Sequence, residues 1–293
     1  MTEGRIIKAL SGFYYVQTDE GIIQCRGRGL FRKKKITPLV GDIVLFEKSS
    51  NGEGYIKEVK PRKSELIRPP VANIDQAILI TSVVMPKFST LLLDRFLAYI
   101  ESRNIKPMII INKIDLATKE ELDLIKHYQK AYEKIGYLIE LFSAKQPTNM
   151  EQIKKHFDNK ISVFSGQSGV GKSSILNTLN PSLLLDTAHI SKSLGRGKHT
   201  TRHVELMKIG NGLIADTPGF SSIDFNDVEE FQLRQLFPEM KKIENQCKFR
   251  GCLHHREPAC AVKLAIEEGE IAPFRYKHYL EFLQEIQSRK PRY

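Results

Sequence analysis

The sequence predicts an α/β fold that follows a small all-β barrel and precedes a helical segment. In residues 1–68, short β-branched and aromatic runs alternate with Gly, Asp, Asn and Ser, which is typical of short antiparallel strands. In residues 69–226, uniformly apolar strands alternate with amphipathic helices, which predicts a mainly parallel sheet covered on both faces. Residues 227–293 are helical in pattern, with a cluster of cysteine and histidine between the helices. We therefore predict three domains with these boundaries.

The composition is typical of a soluble globular protein. The chain has 293 residues, of which 41% are hydrophobic and 27% charged. No stretch approaches the ~20 apolar residues of a membrane span. The N-terminus lacks the apolar core and cleavage site of a signal peptide. We expect a cytoplasmic monomer without a membrane partner.

The positive charge is concentrated at the two ends of the chain. The formal net charge is +11, with +6 in residues 1–68, +1 in residues 69–240 and +4 in residues 241–293. Basic flanks around a neutral centre indicate a polyanion, in particular a nucleic acid, that contacts two separate parts of the protein. The alternative is a basic protein without a specific polyanionic partner.

The N-terminal strands fit an OB-like barrel, because about five short strands occur in roughly sixty residues. One loop of this region carries six basic residues around a single aromatic ring. Basic side chains can neutralise phosphates, and a ring can stack on a base. The alternative is a solvated charged loop. The predicted RNA-binding residues are Arg26, Arg28, Phe31, Arg32, Lys33, Lys34 and Lys35.

A phosphate-binding loop is predicted at "GQSGVGKS", from Gly166 to Ser173. It follows an apolar strand and opens a helix, which is the context that the motif requires. Its backbone N–H groups and the helix dipole favour phosphate. Lys172 would reach the β- and γ-phosphates, and the Ser173 hydroxyl would bind Mg²⁺. The predicted phosphate-contacting residues are Ser165, Gly166, Gln167, Ser168, Gly169, Val170, Gly171, Lys172, Ser173 and Ser174.

A second phosphate-side element is "DTPG", from Asp216 to Gly219, which follows another apolar strand. Asp216 would hold Mg²⁺ through water, as an acidic residue at a strand end does in related NTPases. Gly219 could donate its N–H group to the γ-phosphate. The alternative is a simple turn, for which the sequence is also suitable.

The base is predicted to be guanine because of "NKID", which ends a buried strand. The carboxylate of Asp115 can accept two hydrogen bonds from guanine, and adenine lacks that pair of donors. Asn112 would brace the neighbouring loops, and the Lys113 stem can lie over the base. After the next strand, Ser143, Ala144 and Lys145 can present the Ala144 N–H group to the guanine carbonyl. A small-molecule kinase would leave these elements without a role.

The segment "SKSLGRGKHTTRHVEL" lies between the two phosphate-side motifs and is polar, basic and glycine-containing. Thr200 or Thr201 could close on Mg²⁺ and the γ-phosphate, as in a switch ordered by GTP; we assign Thr201 to Mg²⁺. The alternative is a merely flexible loop.

Phe220 stands where Ras-like proteins have the Gln that orients the attacking water. His199 is the candidate for that task, or else it contacts phosphate, RNA or solvent. The predicted residues of catalysis are His199, Lys172, Thr200 and Thr201.

The C-terminal cluster, Cys247-x4-Cys252-x-His254-x5-Cys260, predicts one structural Zn²⁺ site. Three thiolates and one imidazole complete a tetrahedron, so no position stays open for catalysis. His255 is the competing ligand, and the alternating spacing favours His254. Cys25 lies apart from the cluster and is expected to be a half-buried hydrophobic residue.

Along the chain, the two motifs that contact the base come first, followed by the phosphate loop, the switch segment and the aspartate loop "DTPG". This order is a circular permutation of the usual G-domain order. With this order, the sequence resembles the ribosome small subunit-dependent GTPases (RsgA, also called YjeQ or YloQ). The resemblance covers essentially the whole chain, from the barrel through "NKID", "SAK", "GQSGVGKS", "HTTRHVEL" and "DTPG" to the Cys/His cluster. It implies a permuted P-loop GTPase sheet with an OB-like barrel and a helical zinc-binding segment.

The resemblance also implies a function. Members of this family act in late maturation of the 30S ribosomal subunit, and that subunit stimulates their GTPase activity. By the resemblance, His199 matches the proposed catalytic histidine, and the four clustered residues match the zinc ligands. We expect GTP or GDP with Mg²⁺, the 30S subunit and 16S rRNA as partners. The rival interpretation is an RNA-binding assembly scaffold whose nucleotide only stabilises the fold.

Overall fold

The computed structural model describes residues 1–27, 31, 36–49, 52–66, 70–181, 204–216 and 223–289. No helix among them is both long and apolar enough to cross a membrane.

The N-terminal strands close into a five-stranded barrel. They are β1 (Thr2–Leu10), β2 (Phe13–Thr18), β3 (Gly21–Gly27), β4 (Ile43–Lys48) and β5 (Gly54–Val59). Their order is β1-β2-β3-β5-β4, and a further pairing of β1 with β4 closes the ring. The interior is filled by fully buried side chains such as Ile6, Val44 and Phe46. The predicted OB-like barrel is therefore confirmed. Cys25 lies in this core and is fully buried rather than half-buried.

The central sheet follows after a short hairpin of β6 (Glu65–Leu66) and β7 (Val71–Ala72). Its strands are β8 (Gln76–Ser82), β9 (Lys106–Asn112), β10 (Leu138–Leu141), β11 (Ile161–Ser165), β12 (Glu205–Ile209) and β13 (Gly212–Asp216). Their order is β10-β9-β8-β11-β13-β12. The neighbouring pairs are parallel except for β12, which runs antiparallel to β13. The strand before the phosphate loop, β11, thus lies between β8, which precedes it in the chain, and β13, which follows it, and the strand that ends in the "NKID" motif, β9, comes before the phosphate loop as a rotated G domain predicts.

Within the described residues, four helices accompany these strands. They are α1 (Thr90–Glu101), α2 (Lys119–Ile135), α3 (Met150–Lys155) and α4 (Lys172–Leu179). Helix α2 begins with a capping box in which the Thr118 hydroxyl accepts from the Glu121 N–H group and the Glu121 carboxylate accepts from the Thr118 N–H group. It ends at Gly136, whose φ of 110° suits glycine.

The barrel and the central sheet are continuous, because β1 also pairs with β12 through Lys8 and Glu205. The ammonium of Lys8 lies 2.8 Å from the Glu205 carboxylate. Since β12 pairs in turn with β13, the barrel is connected to the strand that ends at Asp216.

The C-terminal segment is helical, as predicted. Its helices are α5 (Glu230–Leu233), α6 (Pro238–Lys241), α7 (Ala261–Glu267) and α8 (Pro273–Gln287). Phe225, Phe237, Tyr279 and Phe282 form much of a separate hydrophobic core, to which Ala98 of helix α1 also belongs. The segment therefore packs directly against the central α/β part.

A buried charged cluster fastens helix α8 to helix α1. The Arg275 guanidinium, whose side chain is 1% exposed, donates to Asp94 at 2.6 Å and to Glu239 at 2.7 Å. The Tyr132 hydroxyl donates to Asp94 at 2.6 Å, and a ring nitrogen of His278 lies 2.6 Å from the other oxygen of Asp94. Burial of charge is tolerated only when the charges are paired and hydrogen-bonded in this way.

Candidate active site

The phosphate loop connects β11, in the interior of the central sheet, to helix α4. Its glycines have positive φ angles, 145° at Gly166, 82° at Gly169 and 97° at Gly171. A Cβ atom at Gly166 would lie 2.1 Å from the Ile80 carbonyl oxygen, and one at Gly171 would lie 2.3 Å from Asn112 Nδ2. Only glycine therefore permits this loop to pack against the backbone of β8 and the Asn112 side chain at the end of β9.

Lys172 is held inside the phosphate loop. Its ammonium donates to the carbonyl oxygens of Gly166 at 2.7 Å and of Gln167 at 2.6 Å. Burial disfavours the charged ammonium and lowers the pKa of Lys172 to about 8. The cation is thus partly desolvated before any phosphate arrives, so an anion in the loop would gain a strong electrostatic partner.

Ser173 stands in the first turn of α4, next to Lys172. In the motif, the residue at this position supplies a hydroxyl ligand for Mg²⁺. The backbone of Asp216 ends the neighbouring strand: β11 pairs with β13 up to Val163 and Ala215, one position before Asp216. A hydroxyl at a helix start and an acidic residue at the adjacent strand end fit the oxygen ligands that Mg²⁺ prefers.

Asn112 braces the base-reading and phosphate loops, as the sequence predicts. Its side chain is buried, and its Nδ2 group donates to the Val170 carbonyl oxygen at 2.9 Å. Its Oδ1 atom accepts from the Ala144 N–H group at 3.3 Å. One side chain thus connects the strand end of β9 to the phosphate loop and to the loop after β10.

Asp115 lies in a 3-10 turn after β9 and contacts the predicted Ser143-Ala144-Lys145 loop. The Ser143 hydroxyl donates to one carboxylate oxygen of Asp115 at 2.7 Å. The same hydroxyl oxygen accepts from the Lys145 and Gln146 N–H groups at 3.2 and 3.1 Å. The carboxylate is therefore oriented by a hydrogen bond from a neighbouring loop, and a fixed orientation is what the reading of two adjacent donors on a base requires.

Lys113 adopts a left-handed conformation, with a φ of 63°. Its ammonium donates to the Gly169 carbonyl oxygen at 2.7 Å and also to the carbonyl oxygen of Met85. Burial lowers the pKa of this lysine. The stem therefore crosses from the turn after β9 to the phosphate loop, and its position over the base stays a prediction.

Sequence reasoning missed the segment Val83–Phe88, which follows β8. Its Met85 carbonyl accepts from Lys113, and its Pro86 carbonyl accepts from the Ser82 hydroxyl at 2.7 Å. A signal was available, because this segment leaves the carboxyl end of a strand adjacent to β9 and β11. In open α/β sheets the ligand crevice lies outside those carboxyl ends.

The switch residues lie outside the described part of the chain. These are His199, Thr200, Thr201, Gly219 and Phe220. For Asp216 only the backbone is described. Their roles therefore stay predictions.

The predicted zinc ligands converge on one point. The ligand atoms of Cys247, Cys252, His254 and Cys260 lie within 4.8 Å of one another. His254 Nδ1 is 3.6 Å from Cys247 Sγ and 3.4 Å from Cys260 Sγ. His254 is fully buried, whereas His255 is exposed and does not belong to the cluster. Three sulfurs and one imidazole nitrogen around one point match the donor set of structural zinc.

Two tyrosines of α8 hold the cluster's loop in place. The Tyr276 hydroxyl donates to the His254 carbonyl at 2.7 Å, and the Tyr279 hydroxyl donates to the Leu253 carbonyl at 2.6 Å. The loop that carries the Cys/His cluster and helix α8 therefore form one structural unit, which the buried charged cluster around Arg275 connects to α1.

The barrel loop differs from the prediction at its aromatic residue. Phe31 is only 7% exposed and belongs to the core, so in this structure its ring offers no face to a base. Arg26 is exposed, and its guanidinium lies 4.7 Å from the centroid of the Phe13 ring and 3.3 Å from a Glu53 oxygen. The other predicted RNA-binding residues lie outside the described residues: Arg28, Arg32, Lys33, Lys34 and Lys35.

Comparison with known proteins identifies similar chains over the full length of this protein. The profile of the RsgA GTPase family matches residues 59–226, and that of the RsgA N-terminal domain matches residues 3–56. The chain is 64% identical to small ribosomal subunit biogenesis GTPase RsgA 2 of Oceanobacillus iheyensis, and 55% identical to small ribosomal subunit biogenesis GTPase RsgA of Bacillus subtilis. Both matches cover 100% of each chain.

Two solved structures have the same fold. The crystal structure of YloQ, described as a circularly permuted GTPase, superimposes with a TM-score of 0.87 at 51% identity, covering 100% of this chain and 97% of the other. YjeQ from Thermotoga maritima gives a TM-score of 0.88 at 37% identity, covering 99% of each chain. The permuted sheet, the base-reading residues around the phosphate loop and these full-length matches lead to one conclusion: the chain belongs to the RsgA family of circularly permuted GTPases.

Proposed function

We propose that this GTPase binds the small (30S) ribosomal subunit, acts in its late maturation and couples GTP hydrolysis to its release from rRNA. The main support for guanine nucleotide binding is one set of contacts. Asn112 and Lys113 donate hydrogen bonds to carbonyl oxygens of the phosphate loop, and the carboxylate of Asp115 lies beside them, hydrogen-bonded to Ser143. The role in the small subunit is supported by relatives at 55–64% identity that are named for its biogenesis.

The reaction is GTP + H₂O → GDP + phosphate. Asp115 selects guanine, and Lys172 neutralises the β- and γ-phosphates. Ser173, Asp216 and a switch threonine, Thr200 or Thr201, would hold Mg²⁺, which when bound supplies positive charge to the phosphate oxygens. His199 positions the attacking water, because the phenyl ring of Phe220 cannot. One Zn²⁺ at the C-terminal cluster is structural.

The partners follow from the charge distribution. The basic barrel (residues 1–68) and the basic end of the C-terminal segment (residues 241–293) contact 16S rRNA, while the central GTPase domain (residues 69–226) reads the nucleotide. The protein acts as a monomer in the cytoplasm.

GTP hydrolysis changes the affinity for the subunit through the C-terminal segment, which directly follows the aspartate loop. Because Arg275 and Asp94 fasten helix α8 to α1, any reorientation of that segment has to carry α1 with it. Equal subunit affinity in the GTP and GDP states would contradict this coupling.

The second candidate function is an RNA-binding assembly scaffold with structural nucleotide, and the observation that favours it is Phe220 in place of a water-orienting Gln. The substitution Lys172→Ala distinguishes the enzyme from the scaffold when subunit maturation is measured. A folded variant that still supports subunit maturation would favour the scaffold, whereas loss of maturation would favour the enzyme. Lys130→Ala, at an exposed position of α2, is the matched control.

The test of the proposal is GTP turnover by the full chain, alone and with purified 30S subunits, 50S subunits or tRNA. Stimulation by 30S subunits alone, lost in His199→Ala, is expected. Salt-sensitive 30S binding that is indifferent to nucleotide, without stimulation, would overturn the enzymatic role.

A further inference from the structure

A groove with no assigned role opens between the start of helix α1 and the first turns of helix α2. Its volume is about 340 Å³. Phe88, Leu91, Leu124, Ile125 and Tyr128 form its apolar lining. We call it the α1–α2 groove. Its size is in the range that accommodates a small ligand or a few side chains of a partner.

The rim of this groove is apolar and exposed. Leu91 is 36% exposed and Leu124 is 51% exposed. Met85, in the segment that leads to the groove, is 69% exposed. Single exposed apolar side chains are ordinary, but apolar side chains grouped around a concave pocket mark protein contacts, in which partner side chains fill the pocket.

The charges at the groove favour an acidic group. Lys87 belongs to the lining, is exposed, and makes no ion pair or hydrogen bond with a described residue. Helix α1 begins at the groove with Thr90 and has no acidic residue in its first turn, so the positive end of its dipole is uncompensated. The other charged residue of the lining, Glu121, is engaged in the capping box of α2, where its carboxylate accepts from the Thr118 N–H group at 2.9 Å and faces the positive end of that helix. The ammonium of Lys87 is therefore the charged group of the lining that a partner's carboxylate could pair with.

The floor of the groove connects the nucleotide site to the C-terminal segment. The Phe88 ring lies 5.7 Å from the Tyr128 ring, and the Tyr128 ring lies 5.3 Å from the ring of Phe274 in helix α8. On the other side, the segment that ends at Phe88 holds the ammonium of Lys113 through the Met85 carbonyl. A partner bound in the groove would thus contact the segment that holds Lys113 and the aromatic side chains that touch helix α8 of the C-terminal segment.

We propose that the α1–α2 groove docks a protein component of the small ribosomal subunit that presents apolar side chains beside an acidic residue. This inference rests on the proposed binding of the chain to that subunit. RNA is a poor occupant, because the lining is apolar and contains one lysine. The groove adds a protein contact to the RNA contacts of the basic ends.

The test uses the full chain and purified 30S subunits, with a photocrosslinking p-benzoylphenylalanine at position 124. The affinity of Leu124→Glu and Lys87→Glu for the subunit is measured beside two controls. Lys87→Arg keeps the charge, and Leu138→Glu changes a 41% exposed leucine at the start of β10, outside the groove and outside the two basic ends. Unchanged thermal unfolding and GTP turnover without subunits would show that the variants fold.

The expected result is a crosslink to a ribosomal protein, with subunit affinity lowered on the order of tenfold by Leu124→Glu and Lys87→Glu and unchanged in both controls. A crosslink to rRNA alone, no crosslink, or wild-type affinity in both groove variants would overturn the proposal. If the wild-type chain does not bind 30S subunits, the proposed function itself fails and this inference falls with it.

Discussion

The Ser143 hydroxyl donates a 2.7 Å hydrogen bond to the carboxylate of Asp115, and it thereby connects two loops that are 28 positions apart. Because Ser143 also accepts from two backbone N–H groups of its own loop, its hydroxyl proton is directed towards Asp115. The second carboxylate oxygen makes no hydrogen bond with a described residue, which leaves it available to a base.

We predict that Asp115→Asn lowers the affinity for GTP by at least roughly 100-fold. Two hydrogen bonds to a charged acceptor are lost, and each contributes about 1.5–3 kcal/mol. The new amide can donate, so affinity for xanthosine triphosphate should rise, since xanthine has a carbonyl where guanine has its amine. Calorimetric titration with both nucleotides checks this, with Asp123→Asn, at an exposed position of α2, as the control. If Asp115→Asn lowered the affinities for GTP and for xanthosine triphosphate by the same factor, Asp115 would only stabilise the loop and would not contact the base.

The pH dependence of GTP binding should follow the protonation of the Lys172 amine. Its pKa is lowered to about 8 by burial, whereas the pKa in the unfolded chain is near the ordinary value of 10.5. Phosphate binds the protonated amine, so above about pH 8 GTP binding must take up a proton, and affinity should fall by up to tenfold per pH unit. Between pH 8 and 10.5 the folded nucleotide-free state binds fewer protons than the unfolded state, so this group's contribution to stability rises with pH.

Calorimetry from pH 7 to 9.5, in buffers of different ionisation enthalpy, measures both the affinity and the proton uptake. Lys172→Arg is the control, because a guanidinium stays charged throughout this range. Its affinity, whatever the starting value, should be independent of pH. A flat wild-type profile would mean that the ammonium stays protonated in the free loop.

Removal of one metal ligand should release the metal and unfold the C-terminal segment. Cys252→Ala deletes a buried sulfur of the cluster, whereas His255→Ala removes an exposed imidazole outside it. We expect about one Zn²⁺ per chain in the wild type and in His255→Ala, and almost none in Cys252→Ala. Because structural zinc contributes folding free energy directly, loss of metal should expose the amides of α7 and α8 to hydrogen exchange. Full metal content in Cys252→Ala would contradict the ligand assignment.

The sequence predicted those parts of the site whose spacing is dictated by the ligand. Lys172 and Asp115 belong to short motifs because a phosphate or a base has to meet several groups of one loop at once. Phe31 shows the limit of such reasoning: an aromatic residue within a basic run looks the same in sequence whether its ring points to solvent or, as here, into the core.

Long-range pairs were beyond sequence reasoning for a different reason. Asp94 and Arg275 are 181 positions apart, and each stands on an amphipathic helix whose pattern does not identify its partner. Only the packing of α8 on α1 reveals that their charges compensate each other.

That pair leads to a prediction about stability. Arg275→Met leaves the buried carboxylates of Asp94 and Glu239 without their cation, which should cost about 3–5 kcal/mol. Arg95→Met breaks a bidentate pair with Glu285 between the same two helices, but there the arginine is 25% and the glutamate 39% exposed. Because this pair is partly solvated, its loss should lower the free energy of unfolding by no more than about 1 kcal/mol.

Hydrogen exchange of the amides in α1 and α8 distinguishes the two variants without assuming that the whole chain unfolds in one step. Arg275→Met should lose protection in both helices together, because Asp94 in α1 and Arg275 in α8 share one buried cluster. Arg95→Met should retain near wild-type protection. If both variants lose protection equally, the hydrophobic core around Phe237 and Phe282, rather than the charged cluster, fastens the C-terminal segment to the GTPase domain.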